Sequence, residues 1–367
     1  MRIAHDAGHS DVHLGVGEVP RYRPLGDMQG TDWPVTRAEV FQGWLQEILT
    51  PQQIDGFNRD KEFDGSHAFP FVRVRINLMD SLRGPAMVLR LIPQTILTME
   101  QLNLPSVLES LAARPKGLIL VTGPTGSGKS TTLAAMIDWI NRNEARHILT
   151  IEDPVEFVHE SRKSLIRHRE VGLHTLKFHN ALRAALREDP DVILVGEMRD
   201  RETAQIALQA SLTGHLVMST LHTSDVVETI ARVVDLGAEP WIVANALQAV
   251  IAQRLVRVLC SSCKAPKTLD RDVDAAASGG RVGLAAGEVI YTARGCSECH
   301  DTGYVGRTGI FEVLQIDDHL RDLIKTRAST RDYRAHIESL GKRRLRELGL
   351  HKVAAGETTL EEVHRVT

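Results

Sequence analysis

The stretch GLILVTGPTGSGKSTT, Gly117–Thr132, joins a six-residue apolar run to a glycine-rich turn that ends in lysine, serine and two threonines. Within it, Gly123–Ser130 matches G-x-x-x-x-G-K-[ST], and the strand-like run before it and helical pattern after it are the context that gives the match meaning. Glycines at Gly123, Gly126 and Gly128 let backbone N–H groups close around phosphates at a helix N-terminus. Lys129 supplies a point charge to the β/γ oxygens and Ser130 a hydroxyl to Mg²⁺. Pro124, Thr125, Ser127 and Thr131 complete the expected ATP-contacting loop. An unrelated glycine-rich turn is the competing reading, and the flanking order argues against it.

Three more short apolar runs follow, HILTIED (147–153), DVILVGE (191–197) and HLVMSTLH (215–222), separated by long crossovers. Continuous apolar runs with such crossovers predict a parallel sheet buried on both faces. The fold class expected is α/β, with a RecA-like P-loop core.

In open α/β sheets, ligands bind beyond the carboxyl ends of the strands. Two of these runs end in acids there. HILTIED gives Glu152 and Asp153, and DVILVGE gives Glu197 after Gly196, where most P-loop enzymes place an aspartate. Glu197 is expected to polarise the attacking water or hold Mg²⁺ through water, with Glu152 in the partner role. The pattern leaves open which acid is the base, and solvated strand-end acids are the plain alternative. His215 and His222 flank one run, roughly 23 Å apart if the strand is fully extended. His222 is therefore expected to sense the γ-phosphate and His215 to couple the far end to a neighbour, or else simply to finish the strand.

Around this core, 367 residues with 43% hydrophobic and 25% charged content describe a chain long enough for two or three domains. Residues 1–103 read as an N-terminal α/β domain, 104–225 as the ATPase core, and 226–367 as its C-terminal part, mostly helical. Capping boxes are expected at Thr36–Glu39, Thr50–Gln53 and Ser106–Glu109, the second with Pro51 at the first helical position. Ile96–Pro105 reads as a linker, and the Gly/Ala-rich Ala275–Gly287 as a loop. No apolar run reaches the ~18 residues of a membrane span and the N-terminus has no apolar signal core, so a cytoplasmic location is expected.

In FVRVRIN (71–77), Val72, Val74 and Ile76 share one face while Arg73 and Arg75 share the other. Such a basic face is commonly just solvated, but in a P-loop assembly Arg75, Arg90 or Arg83 can reach a phosphate across a boundary.

The four cysteines form two C-x-x-C pairs, Cys260/Cys263 and Cys296/Cys299, with 32 residues between the pairs. In a cytosolic chain this predicts tetrahedral Zn²⁺ rather than disulfides. CSECH (296–300) also fits a haem-attachment signature, which the absence of an export signal disfavours.

Together these residues resemble the secretion ATPase family of type II secretion and type IV pili, whose members include GspE, PilB and PilT. The resemblance runs from SDVHLGVGEVPRYRPLGDM (10–28) through TIEDPVEFVHE, ALREDPDVILVGEMRDRETA and SLTGHLVMSTLHTSD to TTLEEVHRVT at the end. The family's Walker A, Asp box, atypical Walker B and His box map onto Gly123–Ser130, Glu152–Glu156, Gly196–Asp200 and His215–His222. The resemblance implies a PAS-like N-terminal domain and a homohexameric ring at the inner-membrane face, with Arg75 and Arg90 completing the site. It also implies an inner-membrane platform protein that hydrolysis rotates to lift or withdraw pilin-like subunits. FVHESRKSLIRHREVG (157–172) is similar to the retraction motor, whereas LVRVLCSSCK and GCSECHDTGYVGRTGIFEVL are similar to assembly and secretion motors.

A nucleic-acid translocase is the rival from another class. It calls for a basic, aromatic-bearing channel, whereas aromatics here are 4% and the net charge is −3. The ten basic and 13 acidic residues before Leu104 leave 34 of each sign after it. No nucleic-acid partner is expected, and KRRLRELGLHK (342–352) reads as a solvated helix face.

Overall fold

A computed structural model describes residues 1–23, 28–92, 95–273 and 283–367. Most of the Gly/Ala-rich patch expected as a loop, and Pro24–Asp27 of the first family-like stretch, lie outside the described residues. The chain packs as two units: residues 1–96, 151–159 and 168–177 in one, and 97–150, 160–167 and 178–367 in the other.

In the first unit, α1 (Arg2–Asp6), β1 (Asp11–Gly15), β2 (Arg21–Arg23) and β3 (Gln29–Gly30) are followed by α2 (Ala38–Ile48) and α3 (Pro51–Asp60). Three longer strands complete it, β4 (Glu62–Phe69), β5 (Val72–Met79) and β6 (Ala86–Ile92). The six strands form an antiparallel sheet in the order β3-β2-β1-β6-β5-β4. Alternation in β5 buries Val72, Val74, Ile76 and Leu78 against Phe41 and Leu45 of α2 and Phe57 of α3.

Helix entry follows the expected chemistry at one of the three capping boxes. Thr50 accepts from the Gln53 N–H, Gln53 returns a bond to the Thr50 N–H at 2.8 Å, and Pro51 opens α3. Thr36 does not cap α2, whose N-cap is Arg37, because its main chain is committed to the preceding turn through Glu18 and Gly17. Ser106 makes no cap bond either.

The second unit begins with α4 (Val107–Ala112), β7 (Gly117–Thr122) and α5 (Lys129–Asn143). Next come β8 (His147–Glu152), β9 (Leu165–Glu170), α6 (Phe178–Ala185), β10 (Val192–Val195), α7 (Arg201–Leu212) and β11 (Leu216–Leu221). The last residues of β8 and β9 count with the first unit. Then follow α8 (Val226–Asp235), α9 (Pro240–Ala246), β12 (Leu247–Leu259), β13 (Ala265–Thr268), β14 (Val289–Thr292) and β15 (Tyr304–Gln315). The chain closes with α10 (Asp318–Lys325), α11 (Thr330–Ser339), α12 (Leu345–Ala354) and α13 (Leu360–Val366).

Seven strands form one sheet in the order β15-β12-β7-β11-β10-β8-β9. β7 is parallel to β11 and β12, and β10 to β11, while β15 runs antiparallel to β12. Every residue of β7, β10 and β11 is buried, as an α/β sheet covered on both faces requires. At roughly 1.5–3 kcal/mol for each fully buried large aliphatic side chain, these strands anchor the unit.

The mostly helical reading of residues 226–367 is corrected here, since β12 and β15 are long strands of this sheet, β12 inside it and β15 at its edge. LQAVIAQRLVRVL (247–259) is buried along nearly its whole length, so it lacks the alternation that marks a half-exposed strand, and its length suits a helix equally well. The expected linker also differs: Met99 is buried, and Leu102 and Leu104 pack beside it in the second unit's core. Among the described residues, no helix is long and apolar enough to cross a membrane.

Candidate functional site

The phosphate-loop sequence turns directly off the end of β7 and into α5. Gly123, Gly126 and Gly128 have φ of 148°, 78° and 86°, backbone that side chains other than glycine rarely adopt. A Cβ on Gly123 would also lie 2.5 Å from the Gln253 carbonyl. Lys129 is buried, and its Nζ donates to the carbonyls of Gly123 at 2.9 Å and Pro124 at 3.1 Å. The ammonium therefore sits over the loop, while Ser130 and Thr131 occupy the first turn of α5. This glycine cradle fits a polyphosphate at a helix N-terminus.

The acid after β10 and the histidine after β11 converge. His222 Nε2 lies 3.5 Å from Glu197 Oε2, and Arg199 pairs with the other Glu197 oxygen. Two hydrogen bonds fix this edge: Thr220 Oγ1 donates to the Gly196 carbonyl at 2.8 Å, and the Met198 N–H to the Thr220 carbonyl at 3.1 Å. Thr122, the last residue of β7, donates to the Thr223 carbonyl at 3.0 Å and accepts the Thr223 N–H at 3.1 Å. The loop carrying His222 is thus tied to the strand that launches the phosphate loop. Asp200 caps α7 through the Thr203 N–H, whose bond is the main reason its carboxyl titrates below the usual range.

His215 sits at the opposite end of β11. Its Nδ1 lies 3.0 Å from the Ala210 carbonyl, so it closes the C-terminal turn of α7 and does not join Glu197.

A cavity of about 470 Å³ opens beside the loop, lined by Pro124–Ser127, His222–Ser224, Arg254, Leu255, Arg365 and Val366. Arg254, on β12, donates to the carbonyls of Ser224 at 2.6 Å and Val366 at 2.8 Å. Buried Glu362 accepts two bonds from Arg365, at 2.8 and 3.1 Å, and two from Arg257, at 2.9 Å from its N–H and 2.8 Å from its guanidinium. The last turn of α13 is in this way fastened beside the loop.

The remaining candidates belong to the first unit. Glu152 ends β8, is buried and accepts the Glu156 N–H at 3.4 Å. Arg75 and Arg90 stand opposite each other in the β5–β6 register. Arg75 is held by Asp64 through bonds of 3.0 and 2.6 Å, and that pairing is the main reason its guanidinium pKa is raised. Arg90 donates to Asp11 at 2.8 Å. Arg83 lines a separate cavity with His13, Glu18 and Arg21.

The cysteine pairs also converge. All four Sγ atoms lie within 4.8 Å of one another, with Cys260–Cys296 at 3.9 Å, Cys263–Cys299 at 3.8 Å and Cys296–Cys299 at 3.7 Å. A tetrahedron of sulfurs each about 2.3 Å from one ion has edges of about 3.8 Å, so the spacing fits a tetrathiolate site. Among the described residues it is the one such group of potential ligands. Desolvation raises the Cys299 thiol, but N–H donors from Gly303 and Cys296 outweigh it and hold it at about 7.

A family model for "Type II/IV secretion system protein" matches residues 67–365. The chain belongs to the Type II/IV secretion system protein family. Type II secretion system protein E of Pseudomonas aeruginosa is 45% identical over 372 aligned positions, covering 98% of this chain and 72% of that protein. The type IV pilus retraction ATPase PilT of the same species is 48% identical over 257 positions, or 68% of this chain and 75% of that one. Among solved structures, the pilus retraction motor PilT with bound ADP superposes with a TM-score of 0.79 at 34% identity, covering 100% of this chain and 95% of that one.

Members of this Type II/IV secretion family are secretion and pilus ATPases, and the chain is an ATP hydrolase of that kind with an α/β fold like that of PilT. Sequence reasoning missed Arg254, Leu255, Arg365 and Val366 as lining residues. For Arg254 the available signal was the pair of arginines, Arg254 and Arg257, in the otherwise apolar RLVRVL, which the misread strand concealed.

Proposed function

We propose that this family member is the ATP-driven motor subunit of a pilus or secretion apparatus, acting as a cytoplasmic homohexamer peripheral to the inner membrane. The observation that carries the reading is the convergence of the phosphate loop, Glu197 and His222 at one edge of the sheet. Its core is RecA-like and its N-terminal antiparallel sheet a PAS-like module.

Bound MgATP supplies the transferable γ-phosphoryl group and the cation that neutralises its charge. The residues of this chain do the rest. Backbone N–H groups of Gly123–Gly128 and the Lys129 ammonium hold the phosphates, Ser130 offers its hydroxyl to the cation, and Thr131 supports the turn. Glu197 orients and polarises water, His222 beside it reads the phosphate end, and Glu152 is the partner acid. Arg75 and Arg90 add positive charge for the phosphates once their ion pairs with Asp64 and Asp11 exchange. The four cysteines hold structural Zn²⁺ that pins β12, β15 and the β13–β14 hairpin.

The motor works on an inner-membrane platform protein and through it on pilin-like subunits, and it takes no nucleic acid. Counting surface pili on cells carrying Lys129→Ala tests this. Bald cells indicate assembly, and cells crowded with pili that fail to retract indicate retraction. Unchanged pili together with unchanged secretion would contradict the proposal.

A further inference from the structure

A side chain bonded to both ends of the phosphate-loop turn lies outside it, on the β12 strand. Gln253 is 2% exposed. Its Nε2 donates to the Ser127 carbonyl at 2.8 Å, and its Oε1 accepts from the Thr132 hydroxyl at 2.8 Å. Ser127 closes the loop and Thr132 lies in the first turn of α5, so the two bonds bracket Gly128–Thr131. Both the main chain and the side chain of Gln253 press on the loop: its carbonyl oxygen is 2.5 Å from where a Cβ of Gly123 would sit, and its Nε2 is 2.8 Å from that of Gly128.

We infer that Gln253 is a positioning residue for the nucleotide site, setting the spacing of the phosphate-binding backbone through its carboxamide. The inference rests on the ATP-site reading given above. A carboxamide is suited to the place because it offers one donor and one acceptor in a fixed plane. Glutamate cannot donate to the Ser127 carbonyl, and an apolar isostere leaves two buried polar groups without partners, a situation proteins avoid. The N–H groups and Lys129 ammonium that grip phosphate depend on a backbone held in positive-φ glycine conformations, which glycine's freedom alone does not fix, and the brace is what restrains it.

The test measures MgADP affinity, kcat/KM for MgATP and thermal unfolding in full-length protein carrying Gln253→Met, Thr132→Val, both together, Thr132→Ser, and Lys129→Ala. Gln253→Met is expected to weaken MgADP binding and lower kcat/KM, each roughly 10-fold. Thr132→Val is expected to reproduce at least about half of that loss on a logarithmic scale, and the double variant to lose clearly less than the sum. Thr132→Ser, which keeps the hydroxyl, should restore binding to within about two-fold. Unchanged MgADP affinity in folded Gln253→Met, whatever its melting temperature, would overturn the inference, and so would additivity. If Gln253→Met does not fold, Thr132→Val decides by the same criterion, unchanged affinity overturning it. Wild-type hydrolysis by Lys129→Ala would defeat the underlying site reading instead, independently of Gln253.

Discussion

His222 Nε2 and Glu197 Oε2 lie 3.5 Å apart, bringing together the ends of two adjacent parallel strands. The pair is held from below by the Thr220–Gly196 bond and from the side by Thr122 and Thr223. Glu197→Gln keeps the shape and removes the negative charge, so kcat should fall by about 10²–10³-fold while MgADP affinity stays within a few-fold. Steady-state phosphate release and nucleotide titration separate the two effects.

The two histidines flanking β11 should behave differently. His222→Ala removes a group beside the acid and should lower nucleotide affinity or turnover by roughly 10-fold. His215→Ala removes a bond to the Ala210 carbonyl, so its cost should appear as ~1 kcal/mol of stability, with nucleotide affinity unchanged. Equal losses of affinity in the two variants would mean that this division of roles is wrong.

Glu362 fastens α13 to β12. Desolvation alone would raise its carboxyl, but hydrogen bonds from Arg365 and Arg257 outweigh it and hold the folded-state pKa at about 2, against 4.5 when unperturbed. Because the folded value is the lower one, the stabilisation is complete above about pH 4.5 and is lost as pH falls from there toward 2. Glu362→Ala should cost about 1–3 kcal/mol at neutral pH. Chemical denaturation at several pH values should show that difference shrinking in acid.

His159 supplies a second acid-sensitive element, in the first unit. Burial and the neighbouring His168 push its imidazole down from 6.5 to about 3. The unfolded chain therefore binds the proton first, so the contribution is complete above pH 6.5 and declines as pH falls toward 3. The melting temperature of the wild type should therefore fall relative to that of His159→Leu as pH drops through that window.

For the cysteine cluster, one zinc per chain is expected by elemental analysis. Cys260→Ser should lose it and lower the melting temperature, with Lys129-dependent nucleotide binding retained. Metal-free protein with unchanged stability would refute a structural ion.

The loop and the strands beside it were readable because their signals are local. Gly123–Ser130 carries its geometry in glycine spacing, and β7, β10 and β11 are short apolar runs ending in chemistry-bearing residues. The cysteines were readable for the same reason. By contrast, β12 is buried along nearly its whole length, which erases the two-residue period, so both the strand and its Gln253–Arg254 pair passed unnoticed. The joining of Glu362 to Arg257, 105 residues apart in sequence, depends on strand order that no local pattern encodes. Thr36 satisfied a capping pattern yet was taken by a turn, a case of tertiary pairing overriding a short motif.

The central claim is that the Gly123–Ser130 loop with Glu197 hydrolyses ATP. Phosphate release from MgATP by the purified full-length chain, compared with Lys129→Ala and Glu197→Gln, tests it most directly. Turnover by the wild type and background rates from both variants is the predicted result. Variants that hydrolyse ATP at the wild-type rate would contradict it.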